Sequence, residues 1–367
     1  MAGMQKIRVQ LENNGYDIVV GSGIILELPE LIKPLVKPSH VLIVTNPSID
    51  RLYGETVREA LKPLQCEALT EAIPEGESHK NMTTVEKLLD RMVEARLDRA
   101  SLIVSLGGGV VGDIAGFTAA IFMRGIPYIQ VPTTLLAQVD SSIGGKVGVD
   151  HAHGKNLIGA FYQPILVCAD TEVLASLSES HIRNGIAEII KYGVVADEGL
   201  FALIERQPQL LLELENNGLL TDVIKRCCQI KARIVQQDMR ETTGLRSLLN
   251  YGHTIGHAVE AATGYRRFSH GEAVSIGMVA AAKIARLMKL MPEEVEKRQE
   301  NLLSAVGLPT KLSGVEKRAI IEATRLDKKA TAGKNRFIVP MAIGRVVVKD
   351  GVPLEIIEQA LDEIGAA

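Results

Sequence analysis

The sequence predicts an α/β domain, built on a parallel helix-covered sheet, followed by a mostly α-helical domain. Three observations carry that expectation. The runs HVLIVT at 40–45 and SLIVSL at 101–106 are unbroken, β-branched and apolar, as strands buried on both faces must be. Between them residues 82–96 repeat apolar positions at helical spacing, and strands alternating with helices imply a parallel sheet. From about residue 174 onward the strand signal fades and helical periods take over.

Taken in order, residues 6–11 and 16–20 alternate apolar and polar around Asn13-Asn14-Gly15, the pattern of a β-hairpin. The helix at 82–96 is expected to place Val85, Leu88, Leu89, Met92 and Val93 on one face, and residues 128–131 read as a further strand. Helices are expected over 182–194, 219–239, 253–262, 272–288 and 292–305, and residues 337–348 as a strand pair or hairpin. The boundary falls near 172–178, giving domains 1–175 and 176–367. A chain of 367 residues fits about two domains at roughly 100–200 residues each.

Composition excludes several classes of partner. Lys and Arg number 41 against 44 Asp and Glu, a net charge of -3, so nothing draws the chain to nucleic acid or an anionic membrane. Without tryptophan and with 4% aromatics, it lacks the rings of a base-stacking platform. The longest uncharged stretch, residues 125–139, is 15 residues interrupted by Pro127 and Pro132, too short to span a bilayer. No secretory signal is visible at the start, and Cys66, Cys168, Cys227 and Cys228 show no C-x-x-C spacing. They read as inert thiols, and a cytoplasmic protein is expected. Glycine is in excess at 33 residues, so the backbone must turn sharply or approach something closely.

Residues 107–113, GGGVVGD, satisfy G-x-G-x-x-G between a buried strand and a helix. That context suits bare amides facing a pyrophosphate, and equally a tight turn needing positive φ. No acidic residue follows about 20 positions later, and the motif is not in the first βα unit, so the ordinary dinucleotide fingerprint is incomplete. SSIGGKV at 141–147 lacks the spacing of a Walker loop. In the second half, His253, His257 and Glu260 share a helical face at i, i+4 and i+7, and His270 opens the next helix. Two imidazoles at i, i+4 can share a metal or be ordinary solvated histidines; H-E-x-x-H is absent, which disfavours a zincin protease. Gly252 and Gly256 would let a ligand or another helix come close. Glu188 and Lys191, three apart, are either an ion pair or a carboxylate ligand beside a functional lysine.

Together these motifs resemble the 3-dehydroquinate synthase family over nearly the whole chain. The matching segments are PEGESHK (74–80), LGGGVVGD (106–113), MRG (123–125), PTTLLAQVD (132–140), SIGGK (142–146) and GKNLIGAFYQP (154–164). GIAEIIKYG (185–193), RSLLNYGHTIGH (246–257) and HGEAV (270–274) complete the set. The resemblance implies a dehydroquinate synthase-like fold, with a Rossmann-like NAD-binding domain over 1–175 and a metal- and substrate-binding helical domain over 176–367. It implies that Glu188, His253 and His270 bind one divalent metal, zinc or cobalt, with His257 contacting substrate instead.

For NAD it implies Gly108, Gly109, Val110, Val111, Gly112 and Asp113 at the pyrophosphate and nicotinamide, with Asn46, Glu75, Gly76, Glu77 and Lys80 near the adenosine ribose. Thr133, Thr134, Lys146, Lys155, Val173, Leu174, Ala175 and Ser176 are implied as further cofactor contacts. The implied substrate is a small phosphorylated sugar acid, 3-deoxy-D-arabino-heptulosonate 7-phosphate. Asp140, Lys146, Asn156, Lys191, Arg246, Asn250, His257 and Lys334 would hold it, with Lys155 adding positive charge; Lys328, Lys329 and Arg336 rival Lys334. Arg124 is implied to come from the neighbouring subunit of a homodimer. The implied reaction oxidises a hydroxyl with NAD, eliminates phosphate, returns the hydride, opens the ring and closes a carbocycle by an aldol step.

Overall fold

In the computed structural model, which describes residues 4–12, 15–214, 217–326 and 335–367, contacts group the chain into two units. The first is Met1–Leu177 with Asn217–Gln236; the second is Ser178–Asn216 with Gln237–Ala367. The helix Asn217–Gln237, expected with the second half, thus belongs largely to the first. Its side-chain contacts explain why. The Cys228 thiol donates to the Gln138 carbonyl, Lys231 donates to Asp140, and Gln236 accepts the Gln10 amide. Helical periodicity marks this segment as a helix and says nothing of which unit it joins.

The first unit is a seven-stranded sheet in the order β1 (Gln5–Val9), β2 (Tyr16–Gly21), β9 (Leu166–Asp170), β6 (Tyr128–Pro132), β5 (Leu102–Gly107), β3 (His40–Thr45), β4 (Glu67–Ala72). All neighbours are parallel except β1 with β2, so the expected hairpin forms the one antiparallel edge; its Asn13-Asn14 turn lies outside the described residues. Successive strand residues point to opposite faces. Leu42 and Val44 of β3 pack with Val85, Leu88, Met92, Ile114 and Phe117 of the helices Met82–Glu94 and Gly109–Ile121. Val41 and Ile43 face the other side, against Leu28, Ile32, Val57 and Leu61. Both faces being covered, β3 and β5 are largely apolar, and each wholly buried aliphatic side chain contributes about 1.5–3 kcal/mol.

Four details differ from the sequence expectations. β2 does not alternate: all six residues are buried, and Asp17 is matched by Lys6 at 2.7 Å and Arg8 at 3.2 Å. Val93 lies off the apolar face and is exposed. β4 and β9 emerge unforeseen. So does the antiparallel hairpin β7 (Lys146–His151) and β8 (Gly154–Phe161), where motif residues had been read only for chemistry. None of the four cysteines forms a disulfide; burial raises the Cys168 thiol far above its ordinary range and pushes Cys228 up to about 12.

In the second unit the helix His270–Leu287 is buried on almost every side, which its run of Ala, Gly and Val permits. Around it pack the helices Glu179–Ala196, His253–Ala262, Glu293–Ala305 and Leu354–Glu363, with the hairpin β10 (Arg336–Ala342) and β11 (Arg345–Asp350). That hairpin was expected; the short helices Glu198–Arg206, Pro208–Glu213, Lys317–Leu326 and Leu354–Glu363 were not. Buried Glu296 accepts from Lys283 at 2.8 Å and from Arg286 at 2.6 Å, so its charge is paired. Among the described residues no helix is long and apolar enough to cross a membrane.

Glycines set how closely two of these helices cross. A Cβ on Gly277 would stand 1.8 Å from the Gly252 carbonyl oxygen, and one on Gly256 3.0 Å from the Ala273 carbonyl. Gly277→Ala is therefore expected to force the helices apart and cost about 1–3 kcal/mol, as overpacking does, measured by urea unfolding. An unchanged unfolding midpoint would refute the close crossing.

Candidate active site

In the first unit most of the predicted cofactor residues gather at one edge of the sheet. Asn46 follows β3, Glu75 to Lys80 follow β4, the glycine turn follows β5, Thr133 and Thr134 follow β6, and Val173 to Ser176 follow β9. Since these strands are parallel, all five segments leave the same carboxyl edge. From β3 the chain steps outward to β4 and then returns to β5 on β3's other side, so the strand order reverses between β3 and β5. Such a reversal opens the crevice where α/β sheets take ligands.

Close packing, and not positive φ, explains the glycine turn, because none of Gly107, Gly108, Gly109 or Gly112 lies in the left-handed region. A Cβ on Gly107 would meet Val111 at 2.7 Å, and one on Gly112 would meet Gln130 at 2.7 Å. The helix Gly109–Ile121 begins with no side-chain cap on Gly108, leaving its first amides for an anion. Beside it the hydroxyls of Thr133 and Ser141 are buried with no protein hydrogen-bond partner, and Thr134 accepts the Ala137 amide. Uncapped amides next to two unsatisfied hydroxyls fit a bound pyrophosphate or ribose. Ser141 sits inside the SSIGGKV segment and was not singled out from sequence.

Lys80 has partners within the protein. It is buried, donating to Asn156 at 2.5 Å and pairing with Asp113 at 2.6 Å, so it ties the glycine helix to the β7–β8 hairpin. Burial works against its charge, but Asp113 and Glu77 outweigh that and raise its pKa. The Asn46 carboxamide caps the Ile49 amide at 2.9 Å, Glu75 accepts the Ser48 amide at 3.0 Å, and Gly76 takes φ +98. Glu77 stands 3.8 Å from Lys155, while Lys146 is exposed on β7. Asp140 is met by buried Lys231, which donates to its carboxylate at 2.8 Å and its carbonyl at 2.7 Å. Sequence reading missed Lys231, although a lysine at an apolar helical position was the available signal. Arg124 is exposed just beyond the far end of the helix Gly109–Ile121, about 20 Å from the glycine turn at 1.5 Å per residue.

The second unit brings together Glu188, His253 and His270. Glu188 and Lys191 lie on the helix Glu179–Ala196, are essentially inaccessible, and contact each other through Oε2 and Nζ. The other carboxylate oxygen lies 3.5 Å from His253 Nε2 and 3.4 Å from His270 Nε2. Bonds of about 2.0–2.2 Å to a tetrahedral metal put ligand atoms about 3.3–3.6 Å apart, so this donor set fits zinc or cobalt. His253 Nδ1 faces the Tyr251 carbonyl at 3.1 Å; a carbonyl only accepts, so the proton sits on Nδ1 and the Nε2 lone pair is free. Burial, then the Lys191 cation, drives the His253 pKa well below its usual value, keeping it neutral.

Burial resists charge on His270 too, but Glu188 and Glu260 outweigh it and push its pKa up to about 9. His270 is locked in place because Gly271 donates to Asn184 at 2.8 Å and Ser269 forms a capping box with Glu272. The expected pairing of His253 with His257 gives way to His253 with Glu188, since His257 is exposed and its ring stands edge-on to His253 at 5.2 Å.

Arg246 is buried, donating to the Met239 carbonyl at 2.9 Å, with Asn250 at the end of the same turn. Asp238 shapes that turn by accepting the amides of Thr242, Thr243 and Arg246 at 2.8, 3.1 and 3.0 Å. Lys334, with its rivals Lys328 and Lys329, lies outside the described residues, and Arg336 is engaged by Asp350 at 2.7 Å.

Two family models match the chain, 3-dehydroquinate synthase N-terminal over residues 70–184 and 3-dehydroquinate synthase C-terminal over 185–330. A 3-dehydroquinate synthase of Nostoc punctiforme is 49% identical over 357 residues, spanning 97% of this chain and 98% of its own. Among solved structures, 2-deoxy-scyllo-inosose synthase, complexed with carbaglucose-6-phosphate, NAD+ and Co2+, superposes with a TM-score of 0.88 at 26% identity, covering 98% of this chain and 99% of its own. The 2-epi-5-epi-valiolone synthase of Streptomyces hygroscopicus subsp. jinggangensis, with NAD+ and Zn2+ bound, does so at 0.88 and 31%, covering 97% and 98%.

Asp238→Ala would leave three amides without their charged acceptor. The expected loss in urea unfolding is about 2–3 kcal/mol. A variant as stable as the parent would show that the Arg246 turn is held by other contacts.

Proposed function

The chain belongs to the 3-dehydroquinate synthase family, and on that footing we propose that it converts 3-deoxy-D-arabino-heptulosonate 7-phosphate to 3-dehydroquinate and phosphate. That places it in the shikimate route to chorismate and the aromatic amino acids. The observation that carries the reading is the meeting of Glu188, His253 and His270 at metal-ligand spacing beside Lys191. Zinc or cobalt on those three side chains supplies Lewis acidity at a substrate hydroxyl, and NAD at the glycine turn supplies a hydride acceptor restored in each turnover. We assign the NAD-binding role to residues 1–175 and the metal- and substrate-binding role to 176–367.

The protein's own groups then bind and orient. Uncapped amides of Gly109, Val110 and Val111 hold the pyrophosphate, with Thr133 and Thr134 beside them, and Asn46, Glu75 and Glu77 serve the ribose hydroxyls. Lys191, fixed by Glu188, keeps N–H donors for a substrate oxygen next to the metal ligands. Arg246 offers a planar fork for the carboxylate or phosphate, and Asn250 an amide. His257, one turn along from His253 and exposed, donates to a substrate oxygen through its ring N–H. Lys146, Lys155 and Asn156 of the β7–β8 hairpin attract phosphate, and Lys231 holds Asp140 to receive a hydroxyl. Arg124 serves the site of a partner copy, in a cytoplasmic homodimer with no nucleic-acid partner.

Following phosphate release and NADH absorbance together tests the reaction. The expected result is stoichiometric phosphate with no accumulated NADH, abolished by a chelator; accumulating NADH would make the protein a dehydrogenase. The superposition on two other cyclases favours a different ketose phosphate as the second reading, and phosphate released only from a substrate lacking the carboxylate would establish it. His253→Ala is expected to lose both bound metal and turnover. Lys191→Ala is expected to raise KM about 10–100-fold, the worth of a charged hydrogen bond, with NAD affinity unchanged by fluorescence titration. Collapse of NAD affinity instead would move Lys191 to the cofactor.

A further inference from the structure

Each imidazole that offers Nε2 to a metal must carry its proton on Nδ1, and that proton needs an acceptor to fix the ring. For His253 the acceptor is the neutral Tyr251 carbonyl. At His270 a carboxylate stands in that place, at ion-pair distance. Its Nε2 faces Glu188 Oε1 at 3.4 Å, while its Nδ1 faces Glu260 Oε1 at 3.7 Å across the ring. Glu260 is 5% exposed, directly after buried Ala258 and Val259, so its carboxylate is held largely out of water and faces the histidine. The i+7 spacing from His253 puts both on one face, so a single ten-residue helix bears one ligand and the outer support of another.

We propose that Glu260 is a positioning residue for the metal centre, holding His270 in the Nδ1–H tautomer with Nε2 turned to the metal. This rests on the metal reading above. The two histidines are then unequal: the one backed by a carboxylate is the stronger donor, and the one backed by a carbonyl the weaker. Glu260 also belongs to a second set of donors, since one ligand atom each from His257, Glu260 and His270 lies within 4.8 Å of the others. A metal there would need the same Nδ1 that the first site requires protonated. The two uses of Glu260 exclude each other, which makes them separable by experiment.

The test is titration of the metal-stripped full-length chain with Co2+ alone, following its visible absorption and competing it against a chelating dye. The parent is expected to bind one Co2+ per chain. Glu260→Ala should weaken binding about 10–100-fold, the usual effect of removing an outer carboxylate, with NAD binding unaltered. Glu260→Gln, which keeps an oxygen acceptor without the charge, should recover part of the loss and decides the matter if the alanine variant fails to fold. Unchanged Co2+ affinity in Glu260→Gln and Glu260→Ala would overturn the proposal. So would two Co2+ per chain in the parent, falling to one in the variants with the tighter site intact, because Glu260 would then be a ligand. No Co2+ binding by the parent would overturn the metal reading itself.

Discussion

A carboxylate with no solvent access is the constraint around which the second unit is built. Burying an ionised Glu188 costs several kcal/mol unless cations or donors replace the lost water. Lys191 answers one oxygen, and two imidazoles stand at the other. Those partners come from three helices, so the helices have to approach more closely than ordinary side chains allow. Glycines at 252, 256, 271 and 277 permit that approach, and Asn184 locks the start of the third helix onto the first. Packing and chemistry here are one requirement: whatever loosens the glycine contacts also strands the carboxylate.

The first unit solves a related problem with backbone. Its uncapped amides sit at a helix start, whose position depends on how closely that helix lies on β5 and β6. Gly107 and Gly112 govern the fit by leaving space for Val111 and Gln130. Lys80 extends the order outward, because its buried ammonium reaches both Asp113 on the helix and Asn156 on the β7–β8 hairpin. Removing it would leave Asp113 half-desolvated and the hairpin without its polar tether.

Much of this was legible in the residues. β3, β5 and the helices Met82–Glu94 and His253–Ala262 followed from unbroken or periodic hydrophobicity, because burial on two faces or on one stripe dictates composition directly. β4 was not, since an edge strand half in water has no such pattern. The β7–β8 hairpin hid because Gly148 and Gly159 pass backbone to backbone where strand propensity expects side chains. Spacing alone paired His253 with His257 and left Glu188 as either an ion-pair partner or a carboxylate ligand; only the resemblance joined it to the histidines, as periodicity carries no information on which helices meet. Of the two reasons weighed for the glycine motif, the positive-φ turn falls away: the residues avoid crowding and need no left-handed backbone.

The sheet has two open edges, and each is charged. β4 carries Glu67 and Glu71 along its margin, while β1 carries Lys6 and Arg8, partly neutralised by Asp17. An unpaired edge is a template for another chain, yet two copies of β4 brought side by side would oppose glutamate to glutamate. Acidic side chains on that strand thus disfavour edge-to-edge pairing, and their drift to valine or threonine would be felt first as loss of soluble yield.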